Sequence, residues 1–253
     1  MILKIGGSVL TSKSEEETLD QESFDRALDA VADTTQPTDD LILVHGAGSF
    51  GHPHAERHGL GKGSHTGVYE THRAVSGLNK KVVEGLRQRG LGAVPVHPFS
   101  CSLRKGSKFG NSDMMTSQIG TMVVEGFLPV LHGDCVVHSG KGVSIISGDE
   151  IAVKLARRLD IERVGMCTST GGILDSSGEI VDRIGHISEV EAFGTDEPDV
   201  TGGIRNKVEE ILDLASGGYI FGLDDISGFL NGEDVGTLVR RTSKHKNGKS
   251  EGV

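Results

Sequence analysis

"LILVHGAGSFGHPHAERHG", residues 41–59, is an apolar run that breaks into glycines and histidines. A continuous stretch such as "LILVH" fits a strand buried on both faces of a parallel sheet. A glycine turn at the end of such a strand is where α/β proteins hold ligands. Gly46, Gly48 and Gly51 spell G-x-G-x-x-G, and His52, His54 and His58 follow at once. Three chemistries compete for this window: a dinucleotide site, a metal site, and an anion site that uses glycine and histidine together.

The first two are weak. A dinucleotide turn opens straight into a helix and meets an acidic residue about 20 positions later, at the end of a second strand. Here Pro53 follows the turn, and Glu70 lies in "GVYETH", which is no apolar strand. His54 and His58 stand at i, i+4, but Glu56 is in the wrong slot for H-E-x-x-H and a third ligand is lacking. No metal ligand is therefore assigned, and His54, His58 and His65 read as solvated.

Outward from this window the chain alternates. "ILKI" (2–5) is a strand, and 22–33 carry Phe24, Leu28 and Val31 at helical spacing. Residues 68–89 predict a long helix stopped by Gly90; "AVPVHP" predicts a strand, "SDMMTSQIGTMVVEG" (112–126) a helix and "FLPVLHG" a strand. "DCVVHSGKGVSII" predicts a hairpin turning at Ser139–Gly140, and "SGDEIAVKLARRL" a helix capped by Ser147. "RVGMCTS" is a strand, 172–200 is looser, and "GGIRNKVEEILDLAS" is an amphipathic helix before two closing strands, "GYIFG" and "GTLVRR". Strand–helix alternation of this kind means an α/β fold with a mainly parallel sheet.

Bulk properties narrow the function. The 253 residues suffice for one large domain or two fused lobes. A formal net charge of −10 argues against nucleic acid as a partner, since no broad basic face is available. Any bound polyphosphate must then be held by locally placed lysines and backbone amides. Cys101, Cys135 and Cys167 are widely spaced and read as reduced thiols, which places the chain in the cytoplasm. No apolar run approaches the ~18 residues of a membrane helix, and no signal peptide is recognised.

The decisive feature is that the opening turn is one of four. "KIGGS" (4–8) follows the first strand, "HGAGSFGH" (45–52) the second, and "SGD" (147–149) and "TGG" (201–203) each open a helix. Glycines let amides approach an anion closely, and helix N-termini add a favourable dipole. Lys4 and Lys13 accompany the first turn, and Lys207 is expected in the first turn of the last long helix. Amide nests with several lysines are what phosphoryl transfer requires, because that chemistry is mostly positioning and charge neutralisation. The Walker pattern and the protein-kinase motifs are both absent.

"ILKIGGSVLTSK", "LILVHGAGSFGHP", "PVLHGDCV…ISGDEI" and "DVTGGIRNKVE" resemble the amino acid kinase family in order and spacing, over most of the chain. Within it, the histidine ending "GSFGH" is similar to that of the isopentenyl phosphate kinase branch. The resemblance implies an open αβα sandwich and a homodimer. It implies an N-terminal lobe (1–146) for the phosphorylated acceptor and dimerisation, a C-terminal lobe (147–240) for ATP and Mg²⁺, and a disordered polar tail (241–253). Lys4 would bridge donor and acceptor phosphates, Lys13 would stabilise the transition state, Asp149 would orient the lysines, and Lys207 would meet the ATP phosphates. Gly6, Gly7, Ser8, Gly48, Ser169 and Gly203 would line the nucleotide site. Ala47, Gly51, His52 and Gly148 would line the acceptor site, with His52 bonding the acceptor phosphate.

The implied reaction is ATP-dependent phosphorylation of isopentenyl phosphate, with dimethylallyl phosphate as a second acceptor. A fosfomycin-type phosphonate kinase and a non-catalytic nucleotide- or phosphometabolite-binding regulator are the alternatives. One departure stands out. "TSTGG" (168–172) places Ser169 and Gly171 where relatives carry aspartates, which implies a broader or weaker nucleotide preference. Val68, Val75, Leu78 and Val82 recur at helical spacing and could wall an apolar tail pocket or simply fill the core.

Overall fold

In the computed structural model, residues 1–35, 40–60, 65–105, 112–192 and 198–242 are described. Of the tail expected over 241–253, residues 243 onward lie outside the described residues, whereas Arg241 is not disordered: it donates to the Leu212 carbonyl at 2.6 Å and to Asp213 at 3.1 Å. β1 (Ile2–Ile5) leads into a single helical turn, α1 (Gly7–Leu10), then α2 (Gln21–Thr34) and β2 (Ile42–His45). α3 (Gly48–Arg57), α4 (Val68–Gln88) and β3 (Ala93–Pro95) follow. Next come the turn α5 (Pro98–Cys101), β4 (Ser102–Lys105), β5 (Ser112–Met114), α6 (Thr116–Val124) and β6 (Leu128–His132). β7 (Asp134–Ser139) and β8 (Gly142–Ile146) make the hairpin, ahead of α7 (Gly148–Arg158) and β9 (Val164–Cys167). The chain closes with β10 (Arg183–Ile184), α8 (Ile187–Ala192), α9 (Pro198–Leu212), β11 (Gly218–Phe221), α10 (Ile226–Leu230) and β12 (Thr237–Val239).

Eight strands form one sheet in the order β10-β12-β11-β9-β1-β2-β6-β3, parallel except where β11 meets β12. β5, β4, β7 and β8 form a second, smaller sheet. Residues alternate across β1: Leu3 and Ile5 join the core with α2, α4 and α10, whereas Ile2 joins the core with α7 and α9 on the other face. Both faces of the sheet are thus covered, as the apolar runs of β1 and β2 require. Phe24, Leu28 and Val31 are buried, as are Val75, Leu78 and Val82 of α4, which serve the core, while Val68 is half-buried.

Local chemistry explains the boundaries. Asp20 caps α2 by accepting from the Ser23 N–H at 3.1 Å, and Ser147 caps α7 by accepting from Glu150 at 3.0 Å. Gly90, at φ 89, ends α4 as expected.

Four expectations are corrected. The 112–126 segment is a helix only over Thr116–Val124, because Ser112–Met114 pairs antiparallel with β4. The looser stretch holds β10 and α8. α9 begins at Pro198, a residue suited to a first helical position, so "TGG" lies inside that helix and Lys207 sits beyond its first turn. Finally, the turn at 46–48 does open straight into a helix despite Pro53. Pro53 cannot serve the Ser49 carbonyl, and the backbone N–H of Glu17 serves it instead at 3.1 Å.

Candidate active site

β9, β1, β2 and β6 lie side by side in parallel, so the turns after them share one edge of the sheet. Gly6 extends the ladder by donating to the Cys167 carbonyl, and Gly46 by donating to Ile5. The first two turns press together backbone to backbone. A Cβ on Gly7 would lie 2.2 Å from the Gly48 nitrogen, and Gly48 itself holds a φ of 50. Neither position accepts a side chain without moving the other turn. The third turn, before α7, is met by the turn between β6 and β7: a Cβ on Gly133 would stand 3.4 Å from the Gly148 nitrogen and 3.7 Å from that of Ala47. A Cβ on Gly148 would meet the His45 carbonyl at 3.0 Å and the Lys4 stem at 3.4 Å. The Ala47 and Gly148 nitrogens thus both stand close to Gly133.

Lys4 follows Leu3 on β1, so its side chain turns to the α7 face. It is only 6% exposed, and its Nζ lies 2.7 Å from Asp149 Oδ1 in the first turn of α7. Lys207 reaches across from α9 to the other oxygen, Nζ to Oδ2 at 2.5 Å. Burial pushes the Asp149 carboxyl up, but the two ammonium groups outweigh it and hold the carboxylate far below its ordinary value. Lys207 is itself held low, by burial first and then by Lys4, against the pull of Asp149. One carboxylate thus fixes two cations at the mouth of the glycine turns.

The other expected residues divide. His52 is exposed on the first turns of α3, and protein bulk and then the Lys4 charge lower its pKa. Lys13 is exposed on the segment between α1 and α2, and Ser8 is exposed on α1. Ser169 is exposed in the turn after β9, where Thr168 donates to the Phe221 carbonyl at 2.8 Å and the 171 and 222 backbones nearly touch. Gly51 is buried, and a Cβ there would strike Val75 of α4 at 2.8 Å, so its smallness lets two helices pack. Gly203 lies within α9 and is not part of a helix-opening turn. His54 is not solvated. It is 8% exposed, and its Nε2 meets Glu17 Oε1 at 2.8 Å.

Sequence reasoning missed a buried pair beneath the turns. His45 and His132 are register partners on β2 and β6, with rings stacked 5.6 Å apart. Each donates its Nδ1–H to the carbonyl of the glycine that follows it, Gly46 at 2.9 Å and Gly133 at 3.1 Å. Asn79 donates to Nε2 of His45 at 3.1 Å, and His97 Nδ1 donates to Nε2 of His132 at 2.9 Å, so both rings are neutral acceptors on that side. Burial holds His45 down at about 4 and His132 well below its ordinary value. Because a trans peptide points its C=O and N–H in opposite directions, anchoring the Gly46 carbonyl turns the Ala47 N–H away from the imidazole. The signal was in the sequence: "LVHG" and "VLHG" end two apolar runs with the same dipeptide.

A sequence profile described as the amino acid kinase family matches residues 1–221. The chain belongs to the amino acid kinase family. Among its relatives, the isopentenyl phosphate kinase of Haloferax volcanii is 42% identical over 246 residues, 95% of this chain and 98% of that protein. The isopentenyl phosphate kinase of Methanothermobacter thermautotrophicus is 33% identical, covering 86% of this chain and 88% of its own. A crystal structure of an isopentenyl phosphate kinase superposes with a TM-score of 0.77 at 28% identity, over 94% of this chain and 98% of the other. The open, mostly parallel sheet is thus the amino acid kinase fold. As in other kinases of this family, the nucleotide to be accommodated is ATP.

Proposed function

We propose that this amino acid kinase family member transfers the γ-phosphoryl group of ATP to isopentenyl phosphate, giving isopentenyl diphosphate. The observation that carries the reading is the Lys4–Asp149–Lys207 trio set against three converging glycine turns. An oxygen of the acceptor phosphate attacks the γ-phosphorus as the bond to the β-phosphate oxygen breaks, and ADP leaves. The attacking oxygen of a phosphate dianion carries no proton, so the chemistry needs cations and amides but no general base. Lys4 spans donor and acceptor, Lys207 meets the nucleotide phosphates, and Lys13 caps the transferring group. His52 donates to the acceptor phosphate, with Ala47 and Gly148 supplying amides. The Gly6–Gly7–Ser8 turn, Gly48 and the Ser169 turn face the nucleotide.

The fit differs between polyphosphate and metal. The Gly7–Gly48 contact leaves bare backbone where an anion approaches, which suits phosphate. Among the described residues no group of three or more His, Cys, Asp or Glu side chains is arranged to hold a metal ion. Mg²⁺ would be held chiefly by the phosphate oxygens of ATP and would neutralise their charge there, and no step above depends on it. In this reading residues 1–146 form the acceptor lobe and 147–240 the nucleotide lobe, joined through the β1–β9 pairing of one sheet. The enzyme works in the cytoplasm as a homodimer. No helix among the described residues is long and apolar enough to cross a membrane.

Turnover of ATP against a panel of isopentenyl phosphate, dimethylallyl phosphate and fosfomycin tests the proposal. Isopentenyl phosphate should be used fastest and dimethylallyl phosphate should also react. Preferential use of fosfomycin would assign the site to phosphonates, and no turnover of any acceptor would make the protein a regulator.

A further inference from the structure

The segment between α1 and α2, which carries Lys13, is tied down at several points, and its carboxylate tie to α3 and α4 comes from a residue that the reaction does not itself employ. Its base is closed by a bridge between Thr11 and Leu19 and by Ser12 donating to the Thr18 carbonyl at 2.9 Å. Its far side is tied to α3 through Glu17. The Glu17 backbone N–H donates to the Ser49 carbonyl, the acceptor freed by Pro53, and the Ser49 hydroxyl returns a bond to the Thr18 carbonyl at 3.2 Å. One oxygen of the Glu17 carboxylate takes both His54 Nε2 from α3 at 2.8 Å and Arg73 Nη2 from α4 at 2.9 Å. Next to it, Glu16 pairs with Arg57 of α3 at 2.6 Å. Glu17 makes these contacts with a φ of 50, a left-handed conformation that a glutamate adopts only when its surroundings impose it.

We infer that Glu17 is a positioning residue for phosphoryl transfer: it locks the Lys13 segment to α3, so that the Lys13 ammonium and the acceptor turn of α3 move as one body. The inference rests on the reading of Lys13 as the group that caps the transferring phosphoryl. An exposed lysine on an untethered loop would sample many positions. A tether to α3 fixes it relative to His52, which stands two residues before His54 on the same helix. Because the attacking oxygen is held by α3, that is the element against which Lys13 must be registered. The base of the segment touches the nucleotide turn, with Thr11 Oγ1 donating to the Gly7 carbonyl at 2.8 Å. The Glu17 carboxylate reaches α3 and α4 instead, so its loss should disturb the KM for ATP far less than kcat.

The test is a kinetic cycle on the full chain using Glu17→Gly, Lys13→Ala and the double variant. Glycine removes the carboxylate but tolerates φ 50, so Glu17→Gly should melt higher than Glu17→Ala while losing as much kcat. Misplacement of a catalytic group by about an ångström is worth up to about 100-fold, so a 10–100-fold loss of kcat with a much smaller change in the KM for ATP is expected in Glu17→Gly. The double variant should be no slower than Lys13→Ala alone. If Lys13→Ala is fully active, the reading of Lys13 fails. If Lys13→Ala is impaired and Glu17→Gly is not, or if the two losses multiply, the positioning role is overturned while the reading of Lys13 survives. Should Glu17→Gly not fold, Glu17→Gln, which keeps an acceptor oxygen but no charge, decides the same cycle.

Discussion

Lys4 and Lys207 stand on opposite oxygens of one carboxylate, 2.7 and 2.5 Å from Asp149. The two ammonium groups arrive from β1 and α9, elements far apart in the chain, and neither would sit beside the other without the charge between them. The trio is thus preorganised before any phosphate arrives, which is how fixed charges lower a barrier without reorganising during reaction.

Removing either cation should cost the chemical step. Lys4→Ala and Lys207→Ala are each expected to lower kcat by roughly 100-fold or more, about 2.7 kcal/mol upward. Steady-state kinetics at saturating ATP and acceptor check this. Asp149→Asn should behave differently, because it strands two ammonium groups whose side chains are 7% and 11% exposed. Breaking a buried pair on one side costs about 3–5 kcal/mol, so its melting temperature should fall as well as its kcat. A melt unchanged from wild type would show that the cations find other partners.

His52 and His54 are neighbours with opposite environments. His52→Ala should leave the melt unchanged and depress kcat/KM for isopentenyl phosphate about 10–100-fold, the worth of a hydrogen bond to a charged group at 1.5–3 kcal/mol. His52→Gln, which keeps a donor, should recover part of it. His54→Ala should instead lower the melting temperature, since it takes a buried partner from Glu17. Paired kinetics and thermal melts separate the two. Equal kinetic losses with no change in either melt would contradict the assignment.

The acid side of the stability profile should be set by the stacked imidazoles. His45 is held at about 4 against an unfolded value near 6.5. Within that window the unfolded chain binds a proton that the folded chain refuses, so stability falls as pH drops from 6.5 toward 4 and is complete above it. His132 acts in the same direction. Glu210, raised to about 7 by burial and then by Asp149 and Glu150, acts oppositely and is more stabilising as pH falls from 7. His52 and His97, both lowered first by burial, add to the loss, while His72, raised first by its hydrogen bond to Asp134, opposes it. Four histidines against one histidine and one glutamate leave a net loss on acidification. Melts at pH 7.5 and 5.5 should show it, and His45→Gln should narrow the gap; an unaltered gap would exclude the stack as its source.

The first-turn contact offers a steric check. A methyl group on Gly7 would overlap the Gly48 backbone, so Gly7→Ala should destabilise by about 1–3 kcal/mol, the usual cost of overpacking, and abolish turnover. Denaturant titration and an activity assay read both effects.

Much of this was legible in residue order. Strand periodicity, Ser147 at a helix start and Gly90 at a helix end are local signals, and the structure realises each of them. The glycine turns after β1 and β2 and before α7 were readable for the same reason. What was not readable depended on partners far away. Ser112–Met114 became a strand because β4 offered a ladder. His54 became buried because Glu17, 37 positions earlier, folds back onto it. Pro53 looked like a helix breaker until a distant N–H took the carbonyl it left. The paired His–Gly dipeptides were visible but acquire meaning only once β2 and β6 are adjacent.

Product identification from γ-labelled ATP tests the central claim most directly. Incubated with isopentenyl phosphate and Mg²⁺, the protein should place the label in the terminal phosphate of isopentenyl diphosphate, at a rate cut about 100-fold in Lys4→Ala. Label released only as inorganic phosphate, or an unlabelled acceptor recovered intact, would contradict phosphoryl transfer to isopentenyl phosphate.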